Sequence, residues 1–148
     1  MVGLTEPKFW RSPGQFSESS ETNPEIPILR KDFMIDLYQL VEAKAYGADV
    51  ILLMQLVWNM NRAEILARRA KNLGMEVLME SYNEAELEKL NDFVDIVGVN
   101  NRDLKTFNVD VETSVRLAKL IPDQFVKISE SGLTGPKKKF ITCGRKRL

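Results

Sequence analysis

The sequence predicts an α/β fold built on a parallel sheet. Apolar runs of strand length alternate along the chain with longer stretches whose apolar residues recur at helical spacing. Several runs also end in a polar side chain: Ile28-Leu29-Arg30-Lys31, Val77-Leu78-Met79-Glu80, Val97-Gly98-Val99-Asn100 and Val126-Lys127-Ile128-Ser129-Glu130. Parallel sheets bind ligands at the C-terminal ends of their strands. A lysine, two glutamates and an asparagine gathered there read as an acid–base site.

The elements follow in order. Ile26–Lys31 reads as a strand, and Asp36 caps a helix carrying Leu37, Leu40, Val41 and Lys44 that stops at Gly47. Asp49–Met54 is an unbroken apolar run, the pattern of a strand buried on both faces. Asn61 opens a helix with Ile65, Leu66 and Ala70 inward and Gly74 as its stop. Met75–Glu80 is a strand, and Asn83–Leu90 a short helix exposing Glu84, Glu86 and Glu88. Phe93–Asn100 is a strand, Val111–Leu120 a helix closed before Pro122, and Gln124–Glu130 a strand. About five parallel strands with intervening helices result. A closed (β/α)₈ barrel takes roughly 250 residues, so 148 residues leave either an open sheet or part of a barrel.

Composition divides the chain into three zones. Residues 1–25 form an N-terminal segment that is irregular and rich in Ser, Pro, Gly and Glu after Phe9, 26–135 carry the βα rhythm, and 136–148 form a basic tail. Lys+Arg and Asp+Glu both number 21, so nothing overall favours nucleic acid, and the tail reads as a solvated charge run. The chain holds no histidine, which removes imidazole catalysis and most transition-metal ligation and leaves proton transfer to Lys, Glu or Asp. A single cysteine, Cys143, rules out an internal disulfide and fits a reducing compartment. No apolar run is long enough to cross a bilayer and no signal-peptide core is present, so a cytoplasmic protein without membrane partners is expected.

Taken singly, the strand-end residues have plain explanations. A lysine or glutamate there can be an ion-pair partner, Asn100-Asn101 a turn, and Ser129–Gly132 a helix cap, while Phe33 and Leu53 fit an ordinary core. Together they carry more. Pro27-Ile-Leu-Arg-Lys-Asp-Phe33, Glu42-Ala-Lys-Ala-Tyr-Gly-Ala-Asp-Val-Ile-Leu-Leu53, Leu73-Gly-Met-Glu-Val-Leu-Met-Glu80, Gly98-Val-Asn-Asn-Arg-Asp-Leu-Lys-Thr-Phe107 and Ser129-Glu-Ser-Gly-Leu133 resemble indole-3-glycerol phosphate synthase, a (β/α)₈ enzyme of tryptophan biosynthesis. Leu4-Thr5-Glu6-Pro7-Lys8-Phe9 resembles the end of that family's second strand.

The resemblance implies a partial (β/α)₈ TIM barrel and a carboxy-lyase acting on 1-(2-carboxyphenylamino)-1-deoxyribulose 5-phosphate. That phosphosugar–anthranilate substrate closes a pyrrole ring with loss of carbon dioxide and water. By the same resemblance Lys31 is the general acid, on condition that burial or the adjacent Arg30 lowers its pKa toward neutrality. Glu80 is the group that removes a proton during dehydration, Asn100 orients the substrate, and Glu6 borders the lysine. Glu130 and Ser131 bond the sugar hydroxyls, Arg102 holds the anthranilate carboxylate, and the Gly132 N–H meets the phosphate. Phe33 and Leu53 line the pocket for the aromatic ring. No metal or cofactor is implied. The family's first-strand segment and its Gly-Ser-Ser-like phosphate loop have no counterpart here, and Trp10–Asn23 does not follow its second helix. An incomplete copy is therefore expected, impaired in isolation, with sheet edges open to self-association. A non-catalytic barrel fragment is the alternative reading.

Overall fold

The structure is a computed structural model that describes residues 2–4, 26–55 and 59–133. The elements run β1 (Val2–Leu4), β2 (Leu29–Lys31), α1 (Leu37–Ala45), β3 (Val50–Met54), α2 (Met60–Asn72), β4 (Glu76–Ser81), α3 (Glu84–Leu87), β5 (Ile96–Asn100), α4 (Glu112–Ala118) and β6 (Val126–Glu130). All strands are parallel, and each lies beside its predecessor in one six-stranded sheet. Sequential order without reversal is barrel order, since a doubly wound sheet turns back at a switch point. Among the described residues β1 and β6 do not pair with each other. The sheet is an open portion of a barrel, and of the two alternatives the sequence allowed, this one holds.

Side-chain alternation along the strands divides the apolar residues between two faces. Ile51 and Leu53 of β3, Val77 and Met79 of β4, and Val97 and Val99 of β5 turn toward the helices. There they pack with Leu40, Ala63, Leu66, Ala67, Ala70 and Leu117. Each fully buried leucine of this layer contributes about 1.5–3 kcal/mol. The opposite face, the inside of the barrel, carries a smaller cluster of Val50, Leu52 and Leu78 with Leu29, Met54 and Ile96 against it. Among the described residues no helix is long and apolar enough to cross a membrane.

Local chemistry sets the element ends. Asp36 caps α1 through Tyr38 N–H, and Gln39 reaches back to the cap, a reciprocal capping box. Gly47 ends that helix at φ +83°, in the left-handed region that costs a glycine nothing. At the other end of the barrel two aspartates pin neighbouring strands. Asp49, just before β3, accepts the Ile28 N–H at 2.8 Å, and Asp95, just before β5, accepts the Val77 N–H at 2.9 Å. The same aspartates hold the next strand through their carbonyls, which accept from Glu76 and Val126. One device thus fixes the register twice, at the face remote from the strand C-termini.

Three sequence expectations need correction. Asn59 caps α2, its side chain accepting from Arg62 N–H, where Asn61 was expected to open it. Ile65 is exposed because the buried stripe of α2 is Ala63, Leu66, Ala67 and Ala70; small alanines, not the isoleucine, let this helix approach the sheet. Glu86 is buried, its carboxylate accepting from Tyr82 N–H and Asn83 Nδ2, so it caps α3 from within.

Candidate active site

β2, β4, β5 and β6 each deliver one inward polar side chain near the C-terminal end of the strand. Lys31 Nζ lies 3.1 Å from Glu80 Oε2 and 3.2 Å from Glu130 Oε2, an ammonium gripped between two carboxylates. Glu80 is almost wholly buried at 1 % side-chain exposure, whereas Lys31 keeps 28 %. The other oxygen of Glu80, Oε1, accepts from Asn100 Nδ2 at 2.6 Å and from the Tyr82 hydroxyl. Asn100 Oδ1 in turn accepts the Arg102 N–H at 3.0 Å, which fixes the amide with its nitrogen toward Glu80.

Gly98 makes the arrangement possible. Paired with Glu80 on one side and Ile128 on the other, it faces inward where a Cβ would strike Glu130 Oε1. Without a side chain there, the Glu130 carboxylate leans across β5 toward Lys31. Glu130 Oε1 itself is buried with no hydrogen-bond partner.

Electrostatics follow from this packing. Burial works against the charge on Lys31, but the charges of Glu130 and Glu80 and their hydrogen bonds outweigh it and hold the ammonium above its ordinary 10.5. Burial, then the nearby Glu80 charge, raises the Glu130 carboxyl above 4.5 against the opposing pull of Lys31. Burial and the bond to Glu80 keep the Tyr82 phenol protonated far above 10.0. The expected fall of Lys31 toward neutrality does not occur. Arg30 cannot supply it, because it points to the helix side and is paired with Glu42 at 2.7 Å and Asp32 at 3.3 Å.

A hollow of about 210 Å³ opens above these groups. Phe33, Leu52, Met54 and Leu104 form its apolar walls, and Lys31, Glu80, Tyr82 and Asn100 its polar side. It is smaller than the roughly 300–1,000 Å³ typical of a ligand pocket, which fits one wall of an open barrel.

Of the residues singled out from sequence, Lys31, Glu80, Asn100 and Glu130 converge on one face. Phe33 lines the hollow, half exposed. Leu53 does not: it is buried among the helices, and Leu52 and Met54 take its expected place. A one-residue shift along a strand exchanges the faces. Arg102 is exposed and enters the site through its backbone. Ser131 and Gly132 follow β6 with left-handed backbones, φ +65° and +71°. Gly132 has Val109 where a side chain would stand, and the Ser131 carbonyl is held by Asn101 Nδ2 at 3.1 Å. Glu6 lies outside the described residues, as does most of the 1–25 segment and all of the basic tail.

Tyr82 was missed. It stands two residues beyond Glu80 and so continues the inward face of β4, a period-2 signal that would have found it. Asn101, beside Asn100, faces outward. It knots the strand tops by accepting from Ser114 and donating to Ser129 Oγ at 3.0 Å.

A parallel βα-barrel wall with a cluster of charged side chains at its C-terminal rim defines the class: a portion of a (β/α) barrel protein. Solved structures agree on the fold. KGPDC from Streptococcus mutans superimposes with a TM-score of 0.67 at 13% identity, covering 90% of this chain and 65% of that one. The native KDPGal structure gives 0.60 at 13% identity, covering 88% and 57%.

Sequence comparison is sharper. The family model for indole-3-glycerol phosphate synthase matches residues 2–141, and the chain belongs to that family. The enzyme of that name from Bacteroides thetaiotaomicron is 41% identical over 143 residues, covering 95% of this chain and 55% of the relative. That from Kineococcus radiotolerans is 46% identical over 114 residues, covering 76% and 42%. The chain spans about half the length of the curated relatives it matches.

Proposed function

We propose that this site performs the ring closure of indole-3-glycerol phosphate synthase on 1-(2-carboxyphenylamino)-1-deoxyribulose 5-phosphate. The observation that carries the reading is the Lys31 ammonium held between Glu80 and Glu130 beside an apolar hollow. As the ring carbon bearing the carboxylate attacks the ketone, Lys31 passes a proton to the ketone oxygen. The new carbon–carbon bond then lets carbon dioxide depart. Loss of the hydroxyl as water completes the pyrrole: Glu80 takes the proton from the carbon beside the nitrogen, and Lys31, reprotonated from solvent through its exposed side, gives one to the departing oxygen. A lysine held charged is fully loaded but is a weaker acid than one tuned to neutrality, so the transfer relies on the developing alkoxide, a stronger base than the amine.

The remaining groups bind and orient. Phe33, Leu52, Met54 and Leu104 enclose the aromatic ring, and Asn100 keeps Glu80 in place. Glu130, whose side chain keeps 20 % exposure, meets a sugar hydroxyl. Ser131 and Gly132, just past the end of β6, offer backbone N–H groups to the phosphate. Arg102 receives the anthranilate carboxylate from the rim. The reaction calls on acids and bases alone, as a cytoplasmic biosynthetic step would.

A second reading has its own support. β6 ends the described sheet, and Ile128, on the barrel's inner face, is left partly exposed. A chain that keeps that face open binds substrate weakly or associates with itself through the sheet edges, and then serves as a non-catalytic barrel portion. Indole fluorescence on adding substrate to the purified chain tests both. Formation of indole-3-glycerol phosphate that stops on Lys31→Met supports the enzyme. Absence of product together with absence of thermal stabilisation by substrate supports the fragment.

A further inference from the structure

We propose that Tyr82 is a positioning residue for Glu80. With Asn100, its hydroxyl occupies Glu80 Oε1 and leaves Oε2, the oxygen beside Lys31, as the one that exchanges a proton in the hollow. The proposal deepens the reaction read above and rests on it.

A carboxylate offers about four lone-pair positions. Oε1 uses its pair on Asn100 Nδ2 at 2.6 Å and on the Tyr82 hydroxyl. Oε2 uses one on Lys31 Nζ at 3.1 Å. A single acceptor position remains, and it is on Oε2. The terminal torsion of a glutamate is broad and nearly two-fold, so the chain itself barely distinguishes one oxygen from the other. The partners must choose. Asn100 is oriented by the Arg102 N–H. Tyr82 is anchored by its own backbone N–H, which donates to the buried Glu86 carboxylate at 2.7 Å.

The phenol is half-buried against Glu80 and donates to it. Lys31 from β2 and Glu130 from β6 are the charged groups around Glu80, with Asp32 on the wall of the same hollow. None of them can reproduce a neutral donor on Oε1. The lysine is already committed to Oε2, and the carboxylates only accept.

The test is Tyr82→Phe in the full chain, which keeps the ring volume and removes only the hydroxyl, alongside 3-fluorotyrosine at position 82, which keeps it. Loss of one hydrogen bond to a charged group predicts a kcat lower by about ten- to a hundredfold. KM should change little, and the acidic limb of the kcat–pH profile should move. The fluorotyrosine protein should retain turnover. Separately from activity, the carbon-13 resonance of the Glu80 carboxyl at neutral pH, assigned with Glu80→Gln, should move in Tyr82→Phe as its hydrogen bond is lost. An unchanged kcat in active protein, or an unmoved Glu80 resonance, overturns the proposal. If the unaltered chain shows no turnover, the proposed reaction fails, while the Glu80 resonance still decides the role of Tyr82.

Discussion

Glu130 occupies the space that a side chain at Gly98 would need: a Cβ on Gly98 falls against Glu130 Oε1. One strand supplies the carboxylate and its neighbour supplies the vacancy, so the grip on Lys31 is a property of the β5–β6 pair rather than of either residue. The clash involves the far end of a flexible side chain, not backbone. Leu78 Cδ1, at 3.2 Å, is the next nearest atom and is also a side-chain tip.

Gly98→Ala should therefore fold. Replacing glycine by alanine inside a strand recovers roughly 0.5–1 kcal/mol of backbone entropy, offset by the displaced Glu130. The melting temperature should move little, while substrate turnover falls sharply because the carboxylate is pushed off Lys31. Circular dichroism and a turnover assay on the same preparation separate the two. A large loss of stability with intact kcat per folded molecule would count against the packing described here.

Lys31→Met leaves Glu80 and Glu130 facing each other without a cation. A stability loss of about 1–3 kcal/mol is expected, less than for a fully buried pair because the lysine is partly solvated. The loss should shrink in acid as Glu130 takes a proton. Turnover should drop by about 10²–10⁴, the range for removing a general acid. Urea unfolding at acidic and neutral pH measures the first effect.

The pH dependence of stability has two limbs at this site, and both fall as pH rises. The raised lysine binds its proton more tightly folded than unfolded, so its contribution is complete below about 10.5 and is lost as pH climbs through the higher folded value. Glu130 is also raised, so the folded state holds the extra proton in the window above 4.5. Stability from this group declines as pH rises through that window. Glu130→Gln should flatten the acidic limb and leave the alkaline one, read from urea midpoints across the pH range.

Asp49 and Asp95 make a contrasting pair of predictions, because they act at the other end of the strands. Asp49→Ala should cost about 1–3 kcal/mol by orphaning the Ile28 N–H. Asp95→Ala should cost more, since its carboxylate also binds Lys71 at 2.7 Å. Neither should alter the acid–base behaviour of Lys31. Differential scanning calorimetry gives the order.

Much of this architecture was legible from residue patterns. Strand ends carrying Lys31, Glu80, Asn100 and Glu130 announced the rim, and Asp36 and Gly47 announced a helix at both its ends. What the pattern hid was direction. In the unbroken run Val50–Met54 both faces are apolar, so nothing in the residues says that Leu52 faces the hollow and Leu53 the helices. Ile65 misled for a related reason: hydrophobicity suggested burial, but the stripe of α2 is defined by alanines whose small size lets the helix sit close. The charge state of Lys31 also depended on partners far apart in sequence, Glu80 and Glu130, while the adjacent Arg30 turned away. Neighbours in the chain are poor guides to neighbours across a sheet.

The titration of Lys31 itself probes the site most directly. Carbon-13 NMR of its Cε, assigned with Lys31→Met, should show an ammonium that loses its proton above 10.5, and at lower pH once Glu80 or Glu130 becomes glutamine. A lysine that titrates near neutrality and ignores both substitutions would contradict the grip on which the proposed chemistry depends.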